Sequence, residues 1–227
     1  MTRPRFPILV LVAWWSAAGA LHAQGFKFSN EEQVDNAAQA ERQAKVQAQL
    51  AMPCRDKIKN QKIMVLIGED RNGVISASQG SYTPHVDAIN QRLKSLGLRT
   101  YSPEEIRRQV AQAEIDAYFR NDPDAAISAS KRLAAQYILR GLIATQSGRN
   151  AIINVNQVNV SMNFTLTGAN GRIISQAGAK NESYAGRDTS SMALTLINER
   201  ADEVVAQLYS DYCLKAGVQE PAAARRK

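Results

Sequence analysis

Glu69 and Asp70 follow an uninterrupted apolar segment, Ile63 to Ile67, and acids at the carboxyl end of a strand stand where open α/β sheets bind ligands. With Gly73 close behind, the two carboxylates could hold a hard cation. Neighbours along a strand point to opposite faces, though, and the pair lacks the alternating ligands of a Ca²⁺ loop. His85 lies further on beside Asp87, with Ser76, Ser78 and Ser81 between it and the acids. A serine nucleophile with His85 as base would make a hydrolase; a lone histidine in the first turn of a helix is more often solvated surface. Glu69, Asp70, Asn72, Tyr82 and His85 are therefore taken as an interaction loop. No Gly-x-Gly-x-x-Gly, phosphate-binding Gly-Lys-Ser/Thr or Gly-x-Ser-x-Gly sequence occurs, so nucleotide binding and the common serine hydrolases lose support. No catalytic residue, metal site or cofactor is expected.

Residues 1–23 have the layout of a secretory leader: Arg3 and Arg5, an apolar run from Ile8 to Trp15, and a small residue, Ala23, before Gln24. The expected mature chain starts at Gln24 outside the cytoplasm, and no later segment is long and apolar enough to span a membrane. Both tryptophans and His22 leave with the leader, so His85 is the one histidine that remains. The charge excess falls from +7 to +5, because Arg3 and Arg5 leave without an accompanying acid. Its densest cluster, Arg225-Arg226-Lys227, ends an Ala-rich stretch, and residues 214–227 are expected to be a disordered basic tail with no nucleic-acid role. Cys54 and Cys213 are the two cysteines. In an oxidising compartment one structural bridge between them is the economical expectation, with a free pair or intermolecular links as alternatives.

These residues need elements to position them. Residues 24–53 are Ala-, Gln-, Glu- and Lys-rich, with Ser29 and Glu32 as a capping box, and read as a polar helical extension with a thin apolar stripe. A single domain is expected over 54–213. Lys62–Ile67 reads as a buried strand, Arg71 to Tyr82 as a loop, and Pro84 to Leu96 as an amphipathic helix stopped by Gly97. Leu98 to Tyr101 is a short strand. Ser102-Pro103-Glu104-Glu105 starts a helix expected to continue through Val110 and Ala117. Asn121-Asp122-Pro123 breaks it and caps the next. Tyr137 to Thr145 is a strand, with a turn at Ser147 to Asn150. Val158 to Leu166 alternates cleanly, which describes a sheet with one wet face, and the opposite parity of Ile153 and Val155 predicts a bulge or bend near Asn156. Gly168 to Gly171 is a hairpin turn into a strand ending near Tyr184, and Leu194 to Leu208 forms a closing helix. The fold class is α/β (α+β): a mixed parallel and antiparallel sheet packed by helices, with an N-terminal helical extension.

The segments KIMVLIGED, HVDAINQRLKSLGLRTYSPEEI, ASKRLAAQYILRGLI and VNVSMNFTLTGANGRIISQA resemble a family of bacterial envelope domains. That family includes the curli secretion protein CsgG, the FlgT middle domain, the penicillin-binding-protein activator LpoB and the TolB amino-terminal domain. The resemblance covers Lys62 to Cys213. It implies a non-enzymatic scaffold, activator or ring component, with AAQYILRGLI as a helix running into a central strand. The chain has no cysteine at the expected cleavage site and no evident pair of membrane-spanning amphipathic hairpins, which departs from lipid-anchored and pore-forming members. The expectation is a soluble periplasmic adaptor or assembly factor of a flagellar, secretion or peptidoglycan-linked machine. Its partner would be another envelope protein, or further copies of itself, and no integral membrane span is expected. The alternative is a periplasmic small-ligand or cation-binding protein.

Overall fold

A strand buried on both faces must be apolar throughout, and Lys62–Arg71 (β1) is so built. Ile63, Val65 and Ile67 are buried on one side, and Met64 and Leu66 on the other. The computed structural model describes residues 29–71, 73–80, 83–152, 154–185 and 188–218. The expected leader at 1–23, the loop residues Asn72 and Tyr82, and tail positions 219–227 lie outside the described residues. The chain divides into two units at Ala37 and Ala38. The first contributes, among the described residues, only the start of helix α1 (Ser29–Leu50); the sheet and the other helices belong to the second.

The remaining strands are β2 (Val74–Ser76), β3 (Arg99–Thr100), β4 (Tyr137–Arg149), β5 (Asn156–Gly168) and β6 (Ile173–Ala185). They form a six-stranded sheet in the order β2-β1-β4-β5-β6, with β3 beside the start of β1. β1 runs parallel to β3 and β4, and the other pairings are antiparallel. This is the expected mixed sheet: helical crossovers precede the parallel partners and tight turns precede the antiparallel ones.

Helices cover the two faces unequally. Helices α3 (Thr83–Ser95) and α7 (Thr189–Val218) pack Val86, Ile89, Leu93, Ile197, Val204 and Leu208 against one face of β1, β4, β5 and β6. Helices α4 (Pro103–Gln109), α5 (Gln112–Phe119) and α6 (Pro123–Leu133) bury Ile106, Ile115, Phe119, Ala129 and Leu133 against Met64, Leu66 and Ile138 of β1 and β4. A short helix, α2 (Arg55–Ile58), follows Cys54, which is disulfide-bonded to Cys213 on α7 with a Cα separation of 5.6 Å. The end of α1 is tied to α7: Gln49 Nε2 donates to Gln207 Oε1 at 2.8 Å, and the Tyr209 hydroxyl donates to the Met52 carbonyl.

Four local expectations are corrected. The helix from Ser102 ends at Gln109, because Val110 turns extended to bury its side chain, and Glu114 restarts the helix by accepting the Ala111 amide proton at 3.1 Å. The segment Arg71 to Tyr82 is not all loop, since Val74–Ser76 pairs back on β1. The turn expected at Ser147 to Asn150 lies later: Ser147, Gly148 and Arg149 still pair with Val158, Gln157 and Asn156. The bulge or bend expected near Asn156 falls in the β4–β5 connection, where Asn154 takes a φ of 57° and the Asn150 amide donates to the Val155 carbonyl at 2.8 Å; the register shift of β5 falls between Leu166 and Thr167. Helix α7 runs on through Leu214 to Val218, as its Lys-Ala sequence favours.

Candidate functional site

Of the expected interaction loop, Glu69 and Asp70 lie at the carboxyl end of β1 and His85 in the first turn of α3. Glu69 shares the face of Val65 and Ile67, towards α3, where it acts electrostatically on His85. Asp70 has the opposite parity and closes the β1–β2 turn, its Oδ1 accepting from the Gly73 amide at 2.8 Å. The acids are therefore brought into different roles. Burial pushes the His85 imidazole below the usual histidine range, opposed by the smaller effect of Glu69. Among the described residues no group of three or more His, Cys, Asp or Glu side chains could hold a metal ion.

Beyond the short β2, the buried Gln79 stands in for a strand neighbour. Its Oε1 accepts from the Ile67 amide at 3.2 Å, and its Nε2 donates to the carbonyls of Ile67 at 3.0 Å and Ala77 at 2.6 Å. The backbone of β1 is thus satisfied where no residue pairs with it from that side. This holds the loop in place and leaves the residues of β2 facing water.

The same end of the sheet carries an apolar surface. β4 runs parallel to β1 and four residues further, so the β1–β2 and β4–β5 turns lie at one end, with the end of β6 alongside. Of the eight large apolar side chains exposed among the described residues, five are here: Val74, Ile75, Ile152, Val155 and Tyr184. Ile152 is 93% exposed and Val74 71%.

A second concavity lies on the half-covered face, where α4–α6 stop at β4. Arg140 of β4 stands directly across from Thr165 of β5, and its guanidinium lies 5.6 Å from the Tyr118 ring centre and 5.4 Å from that of Phe119. Arg140 donates to Asn121 Oδ1 at 3.2 Å and, more weakly, to the Phe119 carbonyl at 3.4 Å. Burial raises the Tyr118 phenol, with a hydrogen bond to Thr167 acting the other way. Arg140, Tyr118, Asn121, Thr165 and Thr167 edge a concavity of about 200 Å³ whose further walls include Ile127, Ile138 and Ile173.

At the opposite end of the molecule the Tyr137 and Tyr212 hydroxyls share a 2.9 Å hydrogen bond beside a cavity of about 30 Å³. That is room for about one water, and its lining of Leu, Ile, Val and Tyr is core. Burial, then Tyr212, pushes the Tyr137 phenol well above the usual range.

The sequence matches no family model and no curated protein. Solved structures resemble it in fold. The PelC dodecamer from Paraburkholderia phytofirmans is 14% identical, covering 64% of this chain and 88% of that one, with a TM-score of 0.38. Lipoprotein GNA1162 from Neisseria meningitidis is 14% identical over 63% of this chain and 97% of its own, with a TM-score of 0.42. The LpoB C-terminal domain from Escherichia coli, one of the proteins that the sequence resembles, is 13% identical over 57% and 93% of the two chains, with a TM-score of 0.35.

Sequence reasoning did not single out Arg140 or Gln79. The signal for Arg140 was present: it is the lone charge within the apolar strand YILRGLIA. Gln79 carries no comparable mark, because its neighbours Ala77, Ser78 and Gly80 read as loop.

Proposed function

We propose that the protein is an exported, non-enzymatic adaptor or assembly factor of a cell-envelope machine, acting in the periplasm by binding another envelope protein. The contact surface is the loop end of the sheet, comprising the Glu69–His85 segment with Asn72 and Tyr82, the β1–β2 and β4–β5 turns, and the exposed face of α1 as a second contact. The observation that carries this proposal is the exposure of Val74, Ile75, Ile152, Val155 and Tyr184 at one end of the sheet, since exposed apolar side chains concentrate at docking surfaces. The cystine suits an oxidising compartment, and the leader expected at residues 1–23 would deliver the chain there.

The test places a photo-crosslinking residue at Ile75 or Ile152, with exposed Ser128 on α6 as control, in cells making the full chain. The expected result is a discrete envelope-protein adduct from the first two positions and none from the control, together with a mature terminus at Gln24. Full burial of one such side chain is worth about 1.5–3 kcal/mol, so Ile152→Asp should weaken capture roughly tenfold or more. Equal adducts from all three positions, or none from any, would overturn the proposal.

A further inference from the structure

Among the described residues, the hydrogen-bond and ring partners of the Arg140 guanidinium are neutral. Its hydrogen bonds go to an amide oxygen and a backbone carbonyl, its carbon lies over two aromatic rings, and no carboxylate among the described residues forms an ion pair with it. Arginine keeps its charge at every physiological pH, so this half-buried cation lacks a counter-charge of its own. The bonds to Asn121 and Phe119, with the two rings against its carbon, hold the guanidinium in place. Nε is given no acceptor by the described residues, and a fixed planar fork is matched to a carboxylate.

The surroundings define the rest of the ligand. Thr165, directly across the β4–β5 ladder, supplies a hydroxyl that also takes a long 3.5 Å bond from Gln176. Opposite the charge the walls are apolar: Ile127 from α6, Ile138 from β4 and Ile173 at the start of β6. Gly171 lets the β5–β6 turn close the far side, since a Cβ there would lie 2.9 Å from Ile127 Cδ1. Three separately anchored elements thus converge on one charge. The turn is held by the Ala169 amide on the Gln136 carbonyl, and α6 by the Asp122 cap. At about 30 Å³ per water-sized group, the volume takes roughly seven such groups.

We infer that this concavity binds a carboxylate carrying a short branched apolar group, with the carboxylate on Arg140 and Thr165 and the apolar group against Ile127 and Ile173. The same chemistry is offered by a free small acid and by the carboxyl terminus of a protein chain ending in Val or Leu. The site is separate from the loop-end surface, so it stands or falls independently of the adaptor proposal.

The experiment is an NMR titration of the ¹⁵N-labelled mature protein, observing backbone amides and the Arg140 Nε–H. The probes are 3-methylbutanoate, its neutral amide, acetate, and a tetrapeptide ending in Leu as free acid or as amide. Saturable shifts at Arg140 Nε, Thr165 and Ile127 are expected with 3-methylbutanoate or the acid peptide. Both amides should lose at least tenfold in affinity, and acetate should bind more weakly. The tighter of the two acids identifies the source of the ligand. Arg140→Gln should abolish the shifts while retaining a native spectrum. Should that variant fail to fold, Thr165→Trp, which fills the concavity and leaves Arg140 in place, must abolish them. Equal binding of acid and amide, no saturable shift with either acid, or undiminished binding in a folded variant would overturn the inference.

Discussion

The two faces of the sheet are built on opposite plans. Under α3 and α7 the apolar side chains of four strands are covered, from Ile63 to Ala179, and the disulfide fastens α7 to the start of the domain. Under α4–α6 the cover reaches only β1 and the first half of β4, and beyond it Asn163, Gln176, Lys180 and Glu182 meet water. A face closed over its width carries cooperative stability. A face left half open keeps polar groups such as Arg140 within reach of a ligand, at less cost to the core.

The disulfide gives the largest test of that contrast. Reducing it, or replacing Cys54 and Cys213 by serine, frees a loop of 159 residues and should cost about 4 to 5 kcal/mol on a chain-entropy view. Urea unfolding of the two forms measures it. If α7 is the clamp of the closed face, the loss should be global, with α7 and β5 exchanging amide protons faster together. A loss confined to α2 would break the comparison.

Gly141→Ala is expected next. Its Cβ would run into the Phe164 ring and come within 2.6 Å of Ile67 Cδ1, both fully buried on the closed face. Overpacking of this kind costs about 1–3 kcal/mol, and thermal melts read it. On the other side, Ser102→Ala removes the hydroxyl that accepts from Glu105 N at 3.2 Å at the start of α4 and should cost about 1 kcal/mol. Its effect should be local, seen as faster hydrogen exchange in α4 before any change in β5. Equal loss of protection in both places would mean that the faces unfold as one.

The closed face was the more legible in the sequence, for a physical reason. Ile63 to Ile67, the alternation Val158 to Leu166 and the period of Val86, Ile89 and Leu93 all report burial directly, and burial is what that face consists of. Cys54 and Cys213 were legible because a single pair in a chain whose leader reads as secretory has one economical use, a bridge. The open face depends on contacts between distant segments: Val110 leaves the helix to enter the core, Gly148 and Arg149 join a ladder against their weak strand preference, and Gln79 replaces a strand neighbour with its side chain. None of these leaves a local pattern. The loop residues Glu69 and Asp70 were placed at the right strand end, but only the pleat of β1 decides that Glu69 meets the influence of His85 and Asp70 caps a turn.

Acid titration gives the smallest and most discriminating test. Burial holds His85 below its ordinary value of 6.5, so as the pH falls through that value the unfolded chain takes up a proton that the folded chain resists. Stability therefore falls with pH in this window; the His85 contribution is complete above 6.5 and is lost on the way down to the lower folded value. Glu105 and Glu114, on the helices of the open face, are also held low, Glu105 chiefly by the Ser102 backbone and Glu114 by Arg132. Their contribution is complete above the ordinary carboxylate value of 4.5 and is lost below it, and both are exposed enough for solvent to keep it small. Two limbs are expected, the upper from the closed face and the lower from the open one. His85→Gln should erase the upper limb of a stability-versus-pH curve and spare the lower, whereas Glu105→Gln should shrink the lower limb to the share of Glu114 and spare the upper. An upper limb that survives His85→Gln would separate that histidine from the stability of the closed face, and would assign its burial to the loop end alone.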